Sequence, residues 1–105
     1  KAAKDVLALN RYDSFISTSF NCHIILKSAA GLGIKVPRSL GVISLDNELY
    51  APYLYPSLTT IDEPLFDIAR RAASILLDKI QGYTVCEKIE LNPLISVRES
   101  TASRI

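Results

Sequence analysis

GVISLDNELYAPYLYPSLTTIDEP, residues 41–64, is the stretch of sequence from which the fold can be predicted. It opens with the apolar run Gly41–Leu45, which is rich enough in β-branched residues for a buried strand. That run ends abruptly at Asp46 and Asn47. Ligands of open α/β sheets bind in the crevice outside the carboxyl ends of the strands, so an acidic residue at that end is well placed to bind one.

The rest of this stretch predicts a loop, a second strand and the start of a helix. The second extended run covers Leu58–Ile61, and Glu63-Pro64 then begins a helix, because the fixed φ of proline suits a first helical turn. The loop before that run is broken by prolines and is aromatic. Its three tyrosines favour a protein interface over a place in the core: Tyr50, Tyr53 and Tyr55.

Upstream of residue 41, the pattern of apolar residues predicts a helix, a strand and a second helix. The end of an amphipathic helix covers residues 1–10, and a short strand covers Tyr12–Ser17. Ser19 is expected to be the N-cap of the second helix, which Gly31 and Gly33 end. Both strands are apolar rather than alternating, which is typical of helices packed on a parallel sheet. The predicted fold class is therefore α/β.

Downstream, a long amphipathic helix covers residues 64–81 and a turn covers residues 83–87. Residues 89–97 are predicted to be extended, with an interruption at Pro93 that marks an edge or a bend. The polar tail, residues 98–105, is expected to fray. The apolar face of the long helix is formed by residues at i, i+3 and i+4 spacing: Leu65, Ile68, Ala69, Ala72, Leu76 and Ile80.

Length and composition are those of one ordinary globular domain with a modest core. The chain has 105 residues, of which 49% are hydrophobic and 22% charged. A net charge of +1, with no clustered Lys or Arg, argues against a nucleic-acid-binding face on this chain. No apolar run approaches a membrane span, and no signal peptide is visible. Because the chain has no Met and begins within a helical pattern, we expect a fragment of a longer protein.

No catalytic residue, metal site or cofactor site is indicated. Cys22 and Cys86 lack metal-ligand spacing, and two reduced thiols are favoured over a disulfide. His23 has no Cys, His or acid at ligand spacing, which favours a packed or interfacial histidine. Asp46 has two interpretations that the residues alone leave open. It is either a helix or turn cap, or a carboxylate that accepts hydrogen bonds from the hydroxyls of a polyol.

Three segments together resemble the lactose-repressor/galactose-repressor (LacI/GalR) family of bacterial transcription regulators. They are GIKVPRSLGVISLDN at 33–47, YPSLTTIDEP at 55–64 and VREST at 97–101, in that family's order and spacing. The resemblance covers the chain from Tyr12 onward. It implies the C-terminal part of a periplasmic-binding-protein-like effector-binding core, a two-lobed parallel-sheet sandwich of three layers, and no enzymatic activity.

The resemblance also implies how the chain is divided between the two lobes. Residues 1–58 would belong mainly to the C-terminal lobe, and residues 89–100 would cross back to it. The helix 64–81 would pack on the N-terminal lobe. The helix-turn-helix domain and the first half of the core would lie outside residues 1–105, so operator DNA would be contacted only through that absent domain.

By the same resemblance, four residues are expected at the ligand. Asp46 matches the family's effector-contacting aspartate, and Thr18 and Ser19 occupy the place of an Asn-Asp pair. Glu63 replaces a glutamine in a segment that crosses between the lobes. The loss of an amide and a carboxylate at 18–19 leaves the effector, a sugar or sugar derivative, unidentified.

The implied partners are this small-molecule effector and a second copy of the chain. Helix 20–30 and loop 48–55 would form a homodimer face that buries His23, Tyr53 and Leu54. The family implies a cytoplasmic repressor with no membrane attachment. The alternative is an exported solute-binding protein of a sugar transporter, because one fold can support both functions.

Overall fold

The computed structural model describes residues 1–85 and 88–102. The chain divides into a larger unit, Lys1–Asp62 together with the segment from Ile95 onward, and a smaller unit, Glu63–Leu94. No helix in the described ranges is long and apolar enough to cross a membrane. The elements in chain order are α1 (Ala2–Ala8), β1 (Ser14–Ser17), α2 (Ser19–Gly31), β2 (Gly41–Ser44), a short 3-10 helix (Ala51–Tyr53), β3 (Thr59–Asp62), α3 (Leu65–Ile80) and β4 (Leu94–Ser96).

The four strands form one sheet in the order β1-β2-β3-β4. Strands β1 and β2 are parallel, with Ser17 opposite Ser44, and β2 and β3 are parallel, with Ser44 opposite Thr60. The predicted α/β class is therefore confirmed, and the β1–β2 and β2–β3 pairings are parallel as expected. This register brings the carboxyl ends of β1 and β2 to the same edge of the sheet, where a ligand site is expected.

The larger unit has a hydrophobic core between its helices and its sheet. Helix α1 packs on α2, and α2 packs on β1 and β2. Helix α2 contributes residues spaced three or four apart, because these share one helical face. The buried apolar residues are Leu7, Cys22, Ile25, Leu26, Ala29, Leu40, Val42, Ala51 and Leu58.

Helix α2 begins one residue earlier than predicted. Thr18, with φ −65° and ψ 158°, is the N-cap, and Ser19 is the first helical residue. The side chain of Thr18 makes no capping hydrogen bond. The expectation that Ser19 caps the helix is therefore wrong. The reason is that a carboxylate from the end of the neighbouring strand β2 takes up the first free amide of the helix.

The expectation that the tail frays is wrong for residues 98–102. Ser100 is fully buried, and its Oγ accepts the Thr59 N–H at 2.8 Å and donates to the Val42 carbonyl at 2.6 Å. The Val42 N–H in turn donates to the Ser100 carbonyl at 3.0 Å. These polar side chains satisfy backbone groups of β2 and β3, so polarity here indicates hydrogen bonding within the fold and not solvation. Residues 103–105 lie outside the described part.

The smaller unit consists of α3 and the segment that follows it. Gly82, with φ +82°, ends the helix as a left-handed residue. No residue of α3 is buried, so the predicted apolar face is exposed in this chain. A surface groove of about 360 Å³ is lined by Ile68, Arg71, Ala72, Ile75, Ile89 and Leu91. The predicted turn at 83–87 includes Cys86 and Glu87, which lie outside the described residues.

Candidate functional site

Asp46 caps helix α2 from the end of the neighbouring strand. Its Oδ1 accepts the Ser19 N–H at 2.5 Å and lies 2.6 Å from Ser44 Oγ. The first amides of a helix have no partner within the helix, and the helix dipole favours negative charge at that end. The carboxylate therefore has a structural role at the N-terminus of α2, as the first of its two interpretations predicted.

The second carboxylate oxygen of Asp46 leaves room for the other interpretation. Oδ2 accepts no hydrogen bond from the residues that the structure describes, and the Asp46 side chain is only half-buried. An ionised carboxylate can accept about four hydrogen bonds in all. Capping uses Oδ1, so the two interpretations are compatible, and a role of Asp46 in ligand binding stays a prediction.

The structure brings Thr18 and Ser19 to Asp46, but the two residues present different groups. The Leu45 N–H donates to the Ser17 carbonyl at 2.8 Å, which holds the two strand ends together. Thr18 is exposed. Ser19 is only 1% exposed, and its hydroxyl has no partner within the described part of the chain. Ser19 thus contributes its amide to the cap, whereas Thr18 presents a side chain to solvent.

Glu63 is exposed and is the first residue of the smaller unit. Its carbonyl accepts the N–H of Leu65, the first residue of α3, at 2.8 Å. A role for its carboxylate at the ligand stays a prediction.

Cys22 lies under this strand edge as a buried free thiol. Its Sγ is 3.2 Å from the Ile43 carbonyl and 3.5 Å from the Ser17 carbonyl. Burial raises the pKa of the Cys22 thiol, and the negative charge of Asp46 raises it further. The thiol is therefore protonated at neutral pH, and it is an inert packing residue and not a nucleophile. Reduced Cys22 agrees with the favoured interpretation, whereas Cys86 lies outside the described residues.

Arg98 is a polar contact of this region that sequence reasoning missed. Its Nη1 donates to the Leu58 carbonyl at 2.7 Å and to Thr60 Oγ1 at 3.0 Å. Its Nη2 donates to Asn47 Oδ1 at 3.4 Å, next to Asp46. The signal was present in the VREST segment, in which a cation directly follows the apolar residue Val97. Treating that segment as a frayed tail concealed its role.

A second surface of the larger unit is aromatic and exposed. Phe20, His23, Tyr50 and Leu54 line a groove of about 330 Å³, called here the aromatic face. The rings of His23 and Tyr50 meet edge to face, with centroids 6.5 Å apart. Tyr53 directly precedes the groove residue Leu54 in the sequence and is 86% exposed, whereas Leu54 is half-buried. The three residues predicted at a dimer interface thus belong to one helix and one loop, both within the larger unit.

Comparison with known proteins identifies the family. Residues 17–101 match the model of the periplasmic binding protein-like domain. The chain belongs to this family. The match covers strands β2 to β4, the strand edge at Asp46 and the segment that contains Arg98, so it includes the residues of the candidate site described above.

The relatives found by sequence are named as transcription regulators. One is the NTD biosynthesis operon regulator NtdR of Bacillus subtilis (strain 168), which is 35% identical over 79 residues, 73% of this chain and 24% of that protein. Another is the HTH-type transcriptional repressor CytR of Escherichia coli (strain K12), 42% identical over 60 residues, 57% of this chain and 18% of that protein. The chain thus spans at most about a quarter of the length of these relatives.

A solved structure shares the fold over nearly the whole chain. It is the LacI family transcriptional regulator from Arthrobacter sp. FB24 in complex with lactose, with a TM-score of 0.81 and 25% identity. The similarity covers 95% of this chain and 39% of the regulator. The predicted fold and the resemblance to this family of regulators are confirmed.

Proposed function

We propose that this chain is the effector-sensing and dimerisation region of a LacI/GalR-type transcriptional repressor, and that the effector is a sugar or sugar derivative. The observation that carries the proposal is the half-buried Asp46 carboxylate, which has one oxygen fixed by the Ser19 amide and the other without a hydrogen bond from the described residues. A carboxylate held in this way is preorganised to accept ligand hydroxyls, and charged hydrogen bonds each contribute about 1.5–3 kcal/mol.

The names of the relatives support a regulator. Both are transcription regulators, one of them of the HTH type, and the structural neighbour was solved with lactose. The alternative, a solute-binding protein of a sugar transporter, shares the fold but is not favoured by these names. The proposed role is binding and not catalysis.

The proposed domain organisation follows the lobe assignment made above. Residues 1–105 form the C-terminal part of the effector-binding core, and the full-length protein contacts operator DNA through a separate helix-turn-helix domain. We place this protein in the cytoplasm.

Thr18 contributes a hydroxyl to the ligand, Ser19 positions Asp46 through its amide, and Glu63 approaches the ligand from the crossing segment.

The effector site is tested by calorimetry on the full-length protein with lactose, cellobiose and D-xylulose as probes. Asp46→Ala should weaken binding of the responding sugar by about ten- to a hundredfold, because it removes both the acceptor and the cap. Asp46→Asn keeps a capping oxygen but loses the charge. If Asp46→Asn lowers sugar affinity while the folded state stays intact, the carboxylate itself binds the ligand. Wild-type affinity in both variants would mean that Asp46 is only a cap.

The proposed partner at the aromatic face is a second copy of the chain. Phe20, which lines the groove, is 69% exposed, and Tyr53, in the loop that carries Tyr50 and Leu54, is 86% exposed, so both aromatic side chains are available to a partner. Aromatic residues are enriched at the centres of interfaces, and a second copy would bury them together with His23 and Leu54. The loop 48–55 contains a single charged residue, Glu48, which suits a self-complementary contact.

Light scattering on the chain tests this partner. A particle of twice the 11.6 kDa monomer mass is expected for the wild type. Tyr53→Asp should shift the chain to monomer at the same concentration. Tyr83→Asp is the matched control, since Tyr83 is also exposed but belongs to the smaller unit. A wild-type monomer at high micromolar concentration would overturn the dimer proposal and leave the effector proposal intact.

A further inference from the structure

The guanidinium of Arg98 joins the segment after β4 to the loop at the end of β2. On one side, Nη1 is anchored on β3 through Thr60 Oγ1 and on the residue before that strand through the Leu58 carbonyl. On the other side, Nη2 reaches Asn47 Oδ1. The backbone of Arg98 is fixed as well, because its N–H donates to Thr59 Oγ1 at 2.8 Å. The side chain is thus held at its base and at Nη1, and Nη2 points to Asn47, the residue after Asp46.

The anchor of Arg98 is itself part of a chain of hydrogen bonds. Thr60 Oγ1 accepts from Arg98 and donates to Asp62 Oδ1 at 2.6 Å, and Asp62 Oδ2 accepts from Ser96 Oγ at 2.5 Å. Thr60 is fully buried, and Arg98, Asp62 and Ser96 are half-buried. Polar groups with little access to water have a well-defined geometry when each has a partner. This network therefore gives the guanidinium a fixed position.

The contact to Asn47 differs from the others in kind. Its partner is exposed, and the distance of 3.4 Å is long for a charged donor. It adds little to the stability of the fold, but it limits where the loop at 46–47 can lie. The Asp46 carboxylate is adjacent to that loop position, and its Oδ2, which accepts no hydrogen bond within the described part of the chain, has to be oriented for any ligand. A small displacement of a binding group is enough to lower affinity.

We propose that Arg98 is a positioning residue for ligand binding: through Asn47 it holds the loop that presents Asp46 to the effector. This inference rests on the proposed function, since it assumes that Asp46 binds the ligand. Arg98 itself does not contact the ligand in this proposal. A fork with two separate donors suits the role, because one nitrogen remains on β3 while the other contacts the loop.

The binding test compares variants on the two sides of the contact. Asn47→Ala removes the loop contact and leaves Arg98 on β3, whereas Arg98→Gln removes both. Each should weaken binding of the responding sugar about three- to tenfold, as expected for the loss of one long hydrogen bond to a charged group. The double variant should be no weaker than Arg98→Gln alone. Arg98→Lys should recover part of the affinity. Glu99→Gln, one residue along the same segment, is the matched control and should bind as the wild type does.

A second measurement does not depend on the ligand. Hydrogen exchange of the peptide covering residues 45–49 should be faster in Arg98→Gln and in Asn47→Ala than in the wild type or Glu99→Gln. A purely structural role of Arg98 would instead lower the melting temperature of Arg98→Gln and leave Asn47→Ala unchanged in both exchange and affinity.

The outcomes separate this inference from the proposed function. If Asp46→Asn weakens sugar binding but Asn47→Ala and Arg98→Gln do not, the positioning role is wrong and the effector site stands. If none of the three sugars binds to the wild type, the exchange measurement decides. Unchanged hydrogen exchange at residues 45–49 in both variants would show that the contact between Arg98 and Asn47 does not restrain this loop. Additive losses in the double variant would also contradict it, because they would show that the two residues act separately.

Discussion

Helices α2 and α3 differ in how far their apolar residues are buried, and their sequences do not predict this difference. Both carry apolar residues at helical spacing, and α3 has the clearer division into an apolar and a charged face. Yet six residues of α2 are buried and none of α3 is. Leu26 is 7% exposed in α2, whereas Leu76 is 59% exposed in α3.

The difference shows that an apolar face predicts a need for cover and not the source of that cover. In the larger unit, α1 and the strands β1 and β2 supply it. In the smaller unit, the described residues form only an open groove beside α3. The expectation that α3 packs on an N-terminal lobe accounts for the exposed face, and it stays a prediction. An exposed stripe of this size normally marks an interaction surface.

The largest expected effect is a contrast between matched leucine substitutions in the two helices. Leu26→Ala should lower the free energy of unfolding by about 2–5 kcal/mol, because it opens a cavity in the core. Leu76→Ala should change it by no more than about 0.5 kcal/mol, because the side chain is already in water. Both substitutions have the same effect on intrinsic helix propensity. Urea unfolding of the two variants gives the difference directly.

An equal loss of unfolding free energy in Leu26→Ala and Leu76→Ala would contradict the difference in burial between the two helices. It would mean that α3 is covered in solution, by another segment or by a second chain. Repeating the Leu76→Ala measurement at several protein concentrations separates these two cases, since only cover by another chain depends on concentration.

The next effect concerns the segment after β4. Ser100→Ala should lower the free energy of unfolding by about 1–3 kcal/mol. The substitution removes the acceptor of the buried Thr59 N–H and the hydroxyl that donates to the Val42 carbonyl. Ser39→Ala is the matched control at an exposed position and should stay within about 0.5 kcal/mol of the wild type. Thermal unfolding of both variants measures this. Indistinguishable melting temperatures would restore the view of a frayed tail.

The sequence was sufficient to predict the larger unit's elements and its parallel sheet, because apolar runs and glycine stops are local signals. The proximity of Asp46 to residues 18–19 also followed, since parallel strands end at one edge. What could not be predicted was long-range: that Ser100 binds β2 and β3 across 41 or 58 residues. Polar residues at a chain end look alike whether they face water or backbone, and only the fold distinguishes the two.

The same limit applies within the site. The capping of Ser19 by Asp46 spans 27 residues. A local rule, that serine before a helix caps it, therefore gave the wrong residue. The contact of Arg98 with Asn47 spans 51 residues and has no local signature at all. Both contacts depend on the register of strands, which pattern alone does not fix.

The smallest expected effect is a pH dependence in the larger unit, where Glu99 contacts Ser57. Glu99 Oε2 accepts the Ser57 N–H at 2.9 Å and lies 3.1 Å from the Ser57 hydroxyl. The hydrogen bond from the Ser57 backbone lowers the pKa of the Glu99 carboxyl from its ordinary value of 4.5, and the Ser57 hydroxyl lowers it further. A carboxyl with a lowered folded-state pKa stabilises the fold above its unfolded pKa. That contribution disappears as the pH falls through the folded value.

Glu99→Gln should therefore melt slightly below the wild type at pH 7, and the two melting curves should approach each other as the pH falls through the lowered folded-state pKa of the Glu99 carboxyl. The side chain is exposed, so the difference at pH 7 should be small and should shrink further in high salt. Ser57→Ala removes one of the two donors and keeps the amide. In that background the Glu99→Gln difference at pH 7 should be reduced but not abolished. A gap between wild type and Glu99→Gln that stays constant as the pH is lowered from 7 into the acid range would show that the charge of Glu99 does not stabilise the contact between this segment and Ser57.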